Sequence, residues 1–574
     1  MYVLEQAKKE IIQTIQKTLK ELKYDCEIKI EVPPAGMGDF AFACFSLAPV
    51  AKKAPNAISA EICKKIKKPS IVKRIEDKKG YVNFFLNKET LKESTIEDIF
   101  EKKEKYGFLE EKNKKVIVEH TSANPNGPLH VGRARNPIIG DTIVRISKAA
   151  GYNVESQFYL DDMGKQVAIL AWGVNNLEKK DIPKPDYDKA DHKTVGYYQL
   201  ASKLMKEKEE VADEIGEIVR KSEEGSVETI EMVHKAYNPV LEGMKESMQR
   251  INITLDSYIP ESDFLKDKSV EKVIKELKKS KYSNKEDNAY YLDMEPFGIK
   301  GRNTKFFYQR SDGTTLYATR DIAYHLWKIK NADILINILG EDHKLESKQV
   351  EIALKLLKAK KTPNVIFYSF VSMPGGKMST RQGRVVFLDD LIEQCVQNAY
   401  EEVKKRRGEE LTEEQMKNIA EIIGTGAVRY NIIKVQVEKD IVFKWGEALN
   451  FEGNSAPFVQ YAHARACSIL NKNKEDIKEI NTAVLKHDSE FNLVKKLAEF
   501  PVVINDAYAG FKPHLVASYV FELASSFNQF YRDCPVLSEK NTILRNTRLK
   551  LVEATKIVIK NGLDLLGIRA PEEM

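Results

Sequence analysis

The stretch from Lys115 to Arg145, KVIVEHTSANPNGPLHVGRARNPIIGDTIVR, leaves this chain few choices of fold. Val116, Ile117 and Val118 are a short β-branched run, the mark of a buried strand. Residues 121–128 hold two prolines, two asparagines and a glycine and read as a loop. From His130 the spacing predicts a helix, with Val131, Ile138, Ile139, Ile143 and Val144 as apolar positions. Strand, loop and helix in that order open a nucleotide-binding α/β fold. A helix N-terminus carries unpaired N–H groups and the positive end of the dipole, so it attracts phosphate. His130 and Gly132 stand at that end. Gly132 allows close approach to the backbone, and His130 can donate a hydrogen bond to a phosphate oxygen.

A chain of 574 residues has room for three or four domains, at about 100–200 residues each. Its net charge is only +6, from 91 basic and 85 acidic residues. A nucleic-acid partner is therefore permitted through local patches but not demanded. The six cysteines, Cys26, Cys44, Cys63, Cys395, Cys467 and Cys534, never form Cys-x-x-Cys. Neither a zinc ribbon nor a disulfide framework is indicated. The first residues look like an amphipathic helix rather than a signal peptide. No apolar run approaches the roughly 18 residues of a membrane span. These features predict a soluble, cytoplasmic protein without membrane attachment.

Taken in order, residues 1–110 read as a small α/β unit. It has helices over 4–22 and 58–66 and strands over 27–32, 40–45, 71–75 and 81–86. Residues 111–395 read as the nucleotide-binding domain. Its second strand, 154–159, runs into Asp161, Asp162, Gly164 and Gln166, and polar residues at the end of a parallel strand face the ligand crevice. Asp161 and Asp162 cap the next helix or form a metal pair; capping is the commoner use. Residues 174–285 are Lys/Glu-rich with helical spacing and read as an inserted helical segment. Strands follow at 288–292 and 305–308, then a helix over 316–329. Tyr317 and Asp321 are four apart and share one face of it. A strand over 334–339 ends at Gly340, with His343 just beyond. Another, 365–371, runs into Gly375-Gly376-Lys377-Met378-Ser379-Thr380-Arg381. Such a Gly-rich loop with a lysine can close over a triphosphate. Residues 396–574 are helical almost throughout.

His130-Val131-Gly132-Arg133 resembles the HIGH signature of class I aminoacyl-tRNA synthetases. Lys377-Met378-Ser379-Thr380 resembles their second signature, KMSKS. The flanks Glu119 to Asn124, Arg135-Asn136 and Gly140-Asp141 are similar to arginyl-tRNA synthetases. So are Gly38-Asp39-Phe40, the run from Phe451 to Arg465, Phe527 to Tyr531, and the ending Leu566 to Met574. The resemblance implies a class I Rossmann-like parallel sheet with two further domains. One is an N-terminal α/β domain that touches the tRNA elbow; the other is a C-terminal all-α domain that reads the anticodon. It implies an arginine–tRNA ligase that uses ATP with magnesium as substrate, holds no permanent cofactor or metal, and acts as a monomer. Arginine activation would itself require tRNA(Arg).

The reaction joins a carboxylate to the α-phosphate of ATP, so the protein must position reactants and stabilise charge. His130 and Lys377 are the catalytic candidates. Gly132, Arg133, Met378, Ser379 and Arg381 join them around ATP. The guanidinium of arginine is planar and always charged, and demands carboxylate or aromatic partners. Tyr317 and Asp321 fit that need. The resemblance adds Glu119, Ser122, Asn124 and His343 to the L-arginine site. Unstacked anticodon bases need aromatic faces and hydrogen-bonding groups, and Asn454, Tyr461, Arg465, Tyr531 and Met574 are the candidates. Arg133 replaces the usual last His of HIGH, Gly127 stands where many relatives carry lysine, and Thr380 replaces a lysine. Arg133 and Gly127 leave room for a catalytically silent tRNA-binding protein, while Tyr317, Asp321 and the C-terminal ending argue against a class I synthetase for another amino acid.

Overall fold

The computed structural model describes residues 1–34, 36–301, 304–372 and 386–574. Five parallel strands form its central sheet, in the order Asn364–Tyr368, Ile334–Gly340, Lys115–Glu119, Asn153–Leu160 and Ser257–Pro260. The chain starts in the middle of the sheet and moves outward through its second and third strands. It then returns to the other side of the first strand. The order therefore reverses between Lys115–Glu119 and Ile334–Gly340, and a crevice opens beyond the carboxyl ends there. Val116, Ile117 and Val118 are completely buried, because a parallel sheet is covered on both faces. Helix Arg135–Ala149 covers one face with Ile139 and Ile143 against Val116 and Val118. Gly140 permits this approach: a Cβ there would stand 2.3 Å from the His120 ring.

Three expectations about local structure change. Helix entry is not at His130. A 3₁₀ turn, Val131–Arg133, comes first, and the α-helix runs from Arg135. Residues 174–285 are not all helical. Helices Ala190–Glu207, Glu209–Glu223 and Val227–Arg250 are followed by Ser257–Pro260, which pairs with Asn153–Leu160. This strand has four half-buried residues and ends in proline, so it carries no alternation to read; proline is tolerated because the strand is an edge. The run over 365–371 is two strands. Asn364–Tyr368 belongs to the central sheet, whereas Val371–Ser372 pairs with Ile441–Val442.

Strands Ser283–Glu286, Ala289–Asp293 and Lys305–Gln309 form a separate antiparallel sheet. Leu292, Phe306 and Tyr308 from it pack with Ile322, Ala323 and Tyr324 of helix Tyr317–Asn331. Thr319 Oγ1 donates to the Tyr308 carbonyl at 2.6 Å. The helix that carries Tyr317 and Asp321 is thus held from below by apolar burial, at about 1.5–3 kcal/mol for each large side chain.

Helix Val3–Leu22 covers a four-stranded antiparallel sheet at the start of the chain. Asp39 in that unit accepts from Leu86 N–H and from Lys495 Nζ at 2.6 Å, so it ties the unit to the C-terminal helices. Residue 110 lies between structured elements, whereas the boundary expected at 395/396 falls inside helix Leu388–Arg407. Two buried arginines join catalytic and helical regions. Arg135 donates to the carbonyls of Ser369, Gln436 and Lys439. Arg429 donates to those of Ile251 and Leu566 and pairs with Asp141 at 2.5 Å.

Candidate active site

At one end of the crevice, His130 precedes the 3₁₀ turn and its Nδ1 accepts the Gly132 N–H at 3.0 Å. In the neutral ring the proton is then on Nε2, which is left as a donor. Burial, and then the Arg133 charge, lower the His130 pKa and favour that neutral form. His130 also bridges to Phe387, with Val131 N–H on the Val386 carbonyl and Leu388 N–H on that of Leu129. Residues 386–388 are therefore stitched to the turn that carries His130. Lys377, Met378, Ser379 and Arg381 lie outside the described residues. Arg133 is exposed; its side chain makes no hydrogen bond or ion pair with a described residue, but its charge acts on His130, His343 and Tyr368. Gly127 faces helix Ala190–Glu207, where a Cβ would stand 2.6 Å from Val195 Cγ2. A lysine there would require Val195 to move.

Next to this turn lies a cavity of 290 Å³. It is lined from four strand ends: Ser122 and Asn124, Tyr159 and Asp161, Gly340 and His343, and Tyr368, with Tyr317, Asp321 and Arg133 closing it. Of the expected arginine-site residues, five therefore meet in one cavity: Ser122, Asn124, Tyr317, Asp321 and His343. Glu119 does not line it. It is buried behind the wall, paired with Lys328 at 2.5 Å, beside a second cavity of 70 Å³ that it shares with Asp321. Thr121 and Ser122 hold positive φ, 72° and 36°, rare for non-glycine residues and costly for a β-branched one. Thr121 N–H on Asn136 Oδ1 and Tyr159 N–H on Ser122 Oγ hold this turn in place.

Tyr317 begins its helix and is exposed, while Asp321 is one turn deeper. Burial pushes the Asp321 carboxyl up, but His325 at 3.1 Å, then Lys328 and His343, outweigh it and hold the group below its ordinary value. Asp321 does not pair with Arg320, which is taken by Glu261 at 2.9 Å and by Glu223. His343 donates to Glu346, and that bond raises its pKa. Asp161 Oδ1 accepts the Gly164 N–H in the turn before helix Lys165–Asn176; the N-cap itself is Gly164, without a side-chain cap, so the expected capping role falls to neither aspartate. Asp162 is buried on Ser262 and His234, so its oxygens are engaged. Gln166 accepts from Asn126 at 2.7 Å. Glu261 lines the cavity and escaped the sequence reading, because the strand it follows went unread. Burial pushes its pKa up to about 8.

A second cluster lies on the helical region. The Arg465 guanidinium sits 4.7 Å from the Tyr461 ring and 5.4 Å from the Tyr531 ring, and donates to Asn528 at 2.7 Å. Both rings are 43% exposed, so their other faces are open to solvent. Asn454 and Met574 are not part of this sandwich. Asn454 accepts from Tyr430, and the Met574 carbonyl accepts from Arg407.

A family model for the class I (R) tRNA synthetase catalytic domain matches residues 95–445. The arginine–tRNA ligase of Methanocella arvoryzae is 47% identical over 530 residues, 92% of each chain. This chain belongs to the arginyl-tRNA synthetase family. Models for the arginyl-tRNA synthetase N-terminal domain and the DALR anticodon-binding domain match residues 5–86 and 459–574. The arginine–tRNA ligase of Methanothermobacter thermautotrophicus is 42% identical across the whole of both chains. Thermus thermophilus arginyl-tRNA synthetase superposes with a TM-score of 0.84 at 28% identity, covering 98% of this chain and 99% of that one. Its Plasmodium falciparum counterpart, at 20% identity and a TM-score of 0.80 over 99% of both chains, has the same fold. No helix among the described residues is long and apolar enough to cross a membrane.

Proposed function

We propose that this arginyl-tRNA synthetase family member ligates L-arginine to tRNA(Arg). The arginine carboxylate attacks the α-phosphate of ATP, supplied as its magnesium complex, and pyrophosphate leaves. The terminal ribose hydroxyl of the tRNA then attacks the arginyl carbonyl, and AMP leaves. One observation carries the amino-acid choice: Asp321, held below its ordinary pKa, lies one helical turn below Tyr317 in a cavity at the sheet's switch point. A planar cation satisfies that pair. Lysine matches the charge but not the fork, and citrulline the shape but not the charge. An unmatched buried polar group gives selectivity of order 10⁴.

His130 Nε2 faces the nucleotide as a neutral donor and stabilises developing phosphate charge without moving a proton. Lys377 is assigned to the leaving pyrophosphate. Ser122 and Asn124 are assigned to the ammonium and carboxylate of arginine, with Tyr317 and His343 at the guanidinium end. Glu119 supports the site from behind. Tyr461, Arg465 and Tyr531 are assigned to the anticodon, with Asn454 and Met574 at its margin, and residues 1–110 to the tRNA elbow. Work as a cytoplasmic monomer completes the reading.

The test is ATP–pyrophosphate exchange by the full-length protein with each amino acid, with and without tRNA. Exchange with arginine alone is expected, and only when tRNA is present. Exchange with another amino acid would replace the substrate assignment. No exchange under any condition would leave a binding protein.

A further inference from the structure

Behind Asp321 lies a chain of polar side chains with one direction. Glu119 Oε2 accepts from Lys328 Nζ at 2.5 Å. The same ammonium donates to Asn337 Oδ1 at 3.1 Å. Asn337 Nδ2 stands 2.9 Å from His325 Nε2. His325 Nδ1 is 2.8 Å from the Asp321 carbonyl oxygen and 3.1 Å from its Oδ1. Glu119, Lys328, Asn337 and His325 are all at least 95% buried.

The donors and acceptors fix the order. Lys328 can only donate, so Asn337 must turn its oxygen toward it. The asparagine nitrogen then faces His325, which makes Nε2 the ring acceptor and Nδ1 the ring donor. A lysine two links away thus places an N–H against Asp321. Charge is arranged to the same end. Lys328 is a fully buried cation whose charge acts on Asp321, and Glu119 holds it. The pair Glu119–Lys328 is neutral overall, which leaves the Asp321 charge facing the cavity.

We propose that His325, oriented through Asn337 and Lys328, is a positioning residue that fixes the Asp321 carboxylate for the planar guanidinium. The proposal rests on Asp321 being the arginine partner. A fork of two N–H groups needs both carboxylate oxygens in one plane, and a free carboxylate rotates. The Nδ1–H is hydrogen-bonded to the Asp321 carbonyl oxygen at 2.8 Å and stands 3.1 Å from Oδ1, and this second, electrostatic contact restrains that rotation, as outer contacts orient ligands in metal sites.

Two substitutions separate the two ring nitrogens. His325→Asn keeps an amide nitrogen near the Nδ1 position, and His325→Gln keeps one near Nε2. Both keep polarity in a buried place, and thermal melting checks that each folds. Kinetics are measured on the full-length protein with tRNA present. His325→Gln should raise the arginine KM about tenfold, the effect of one lost bond to a charged group, with the ATP KM changed by less than about twofold. His325→Asn should stay within about threefold of the parent. In an Asp321→Asn background the two should differ by less than about twofold, because the carboxylate they serve is gone. Equal arginine KM values for the two single variants would overturn the positioning role. So would a tenfold difference that persists without the carboxylate. If Asp321→Asn alone leaves the arginine KM unchanged, the arginine reading fails first and takes the positioning role with it.

Discussion

The cavity around Asp321 and the surface around Tyr461 both use charge and aromatic rings, but in opposite arrangements. In the cavity a carboxylate is half-buried, one tyrosine stands above it, and Lys328 and Arg320 are held by other carboxylates. On the helical surface a guanidinium is clamped between two tyrosines, and the outer ring faces are exposed. The first arrangement suits a small cation taken out of water. Low dielectric makes one carboxylate strong there, and unmatched ligands leave it unsatisfied. The second suits a long polyanion with unstacked bases. Such a ligand would offer phosphate to a half-buried cation and bases to open rings, each contact modest and screened by salt.

Four changes would break or sharpen that contrast. The largest effect should come from Arg429→Leu, because both regions hang on this junction. It takes away the buried partner of Asp141, leaving that carboxylate to the part-exposed Arg145, and removes donors from the carbonyls of Ile251 and Leu566. Loss of one partner of a buried ion pair costs about 3–5 kcal/mol, read as a lower urea midpoint. A loss under about 1 kcal/mol would mean that the regions hold their geometry separately. Next, Asp321→Asn should raise the arginine KM by about 10- to 100-fold, the range for a bond to a charged group. The tRNA and ATP values should move little, and an equal rise in the tRNA KM would dissolve the distinction.

Tyr461→Ala or Tyr531→Ala should raise the tRNA KM about tenfold, within the range for one lost stacking face, with the arginine KM unchanged. An unaltered tRNA KM in both variants would remove this surface from the anticodon contact. The smallest effect belongs to Arg465→Gln. It should lower the slope of log affinity for tRNA against log salt by about one. Arginine affinity should keep the same weak salt dependence in parent and variant. A slope that stays fixed would make Arg465 a support for the two rings rather than a phosphate contact.

Much of this was legible in the sequence because it is local. Val116 to Val118 declared a buried strand, and the loop over 121–128 was written in proline, asparagine and glycine. Tyr317 and Asp321 were placed on one face by helical spacing. Ser257–Pro260 was not legible: an edge strand with half-buried residues has no periodic pattern, and its loss hid Glu261. The family resemblance assigns Glu119 to the arginine site, whereas it stands behind the cavity wall. Its partner Lys328 lies on another element, and only the packing of helix against sheet shows them together.

By itself the sequence determined the strand, loop and helix around His130, the helix face shared by Tyr317 and Asp321, and the family of chemistry, since these depend on residues close in the chain. Tertiary structure alone decided which polar groups pair with one another. Asp321 is held by His325 and not by the adjacent Arg320, Gly127 faces Val195, and Asp39 reaches Lys495 across two domains. Buried charge takes the partner that close packing brings within hydrogen-bonding distance, and that neighbour is set by how helices and strands stack rather than by sequence separation.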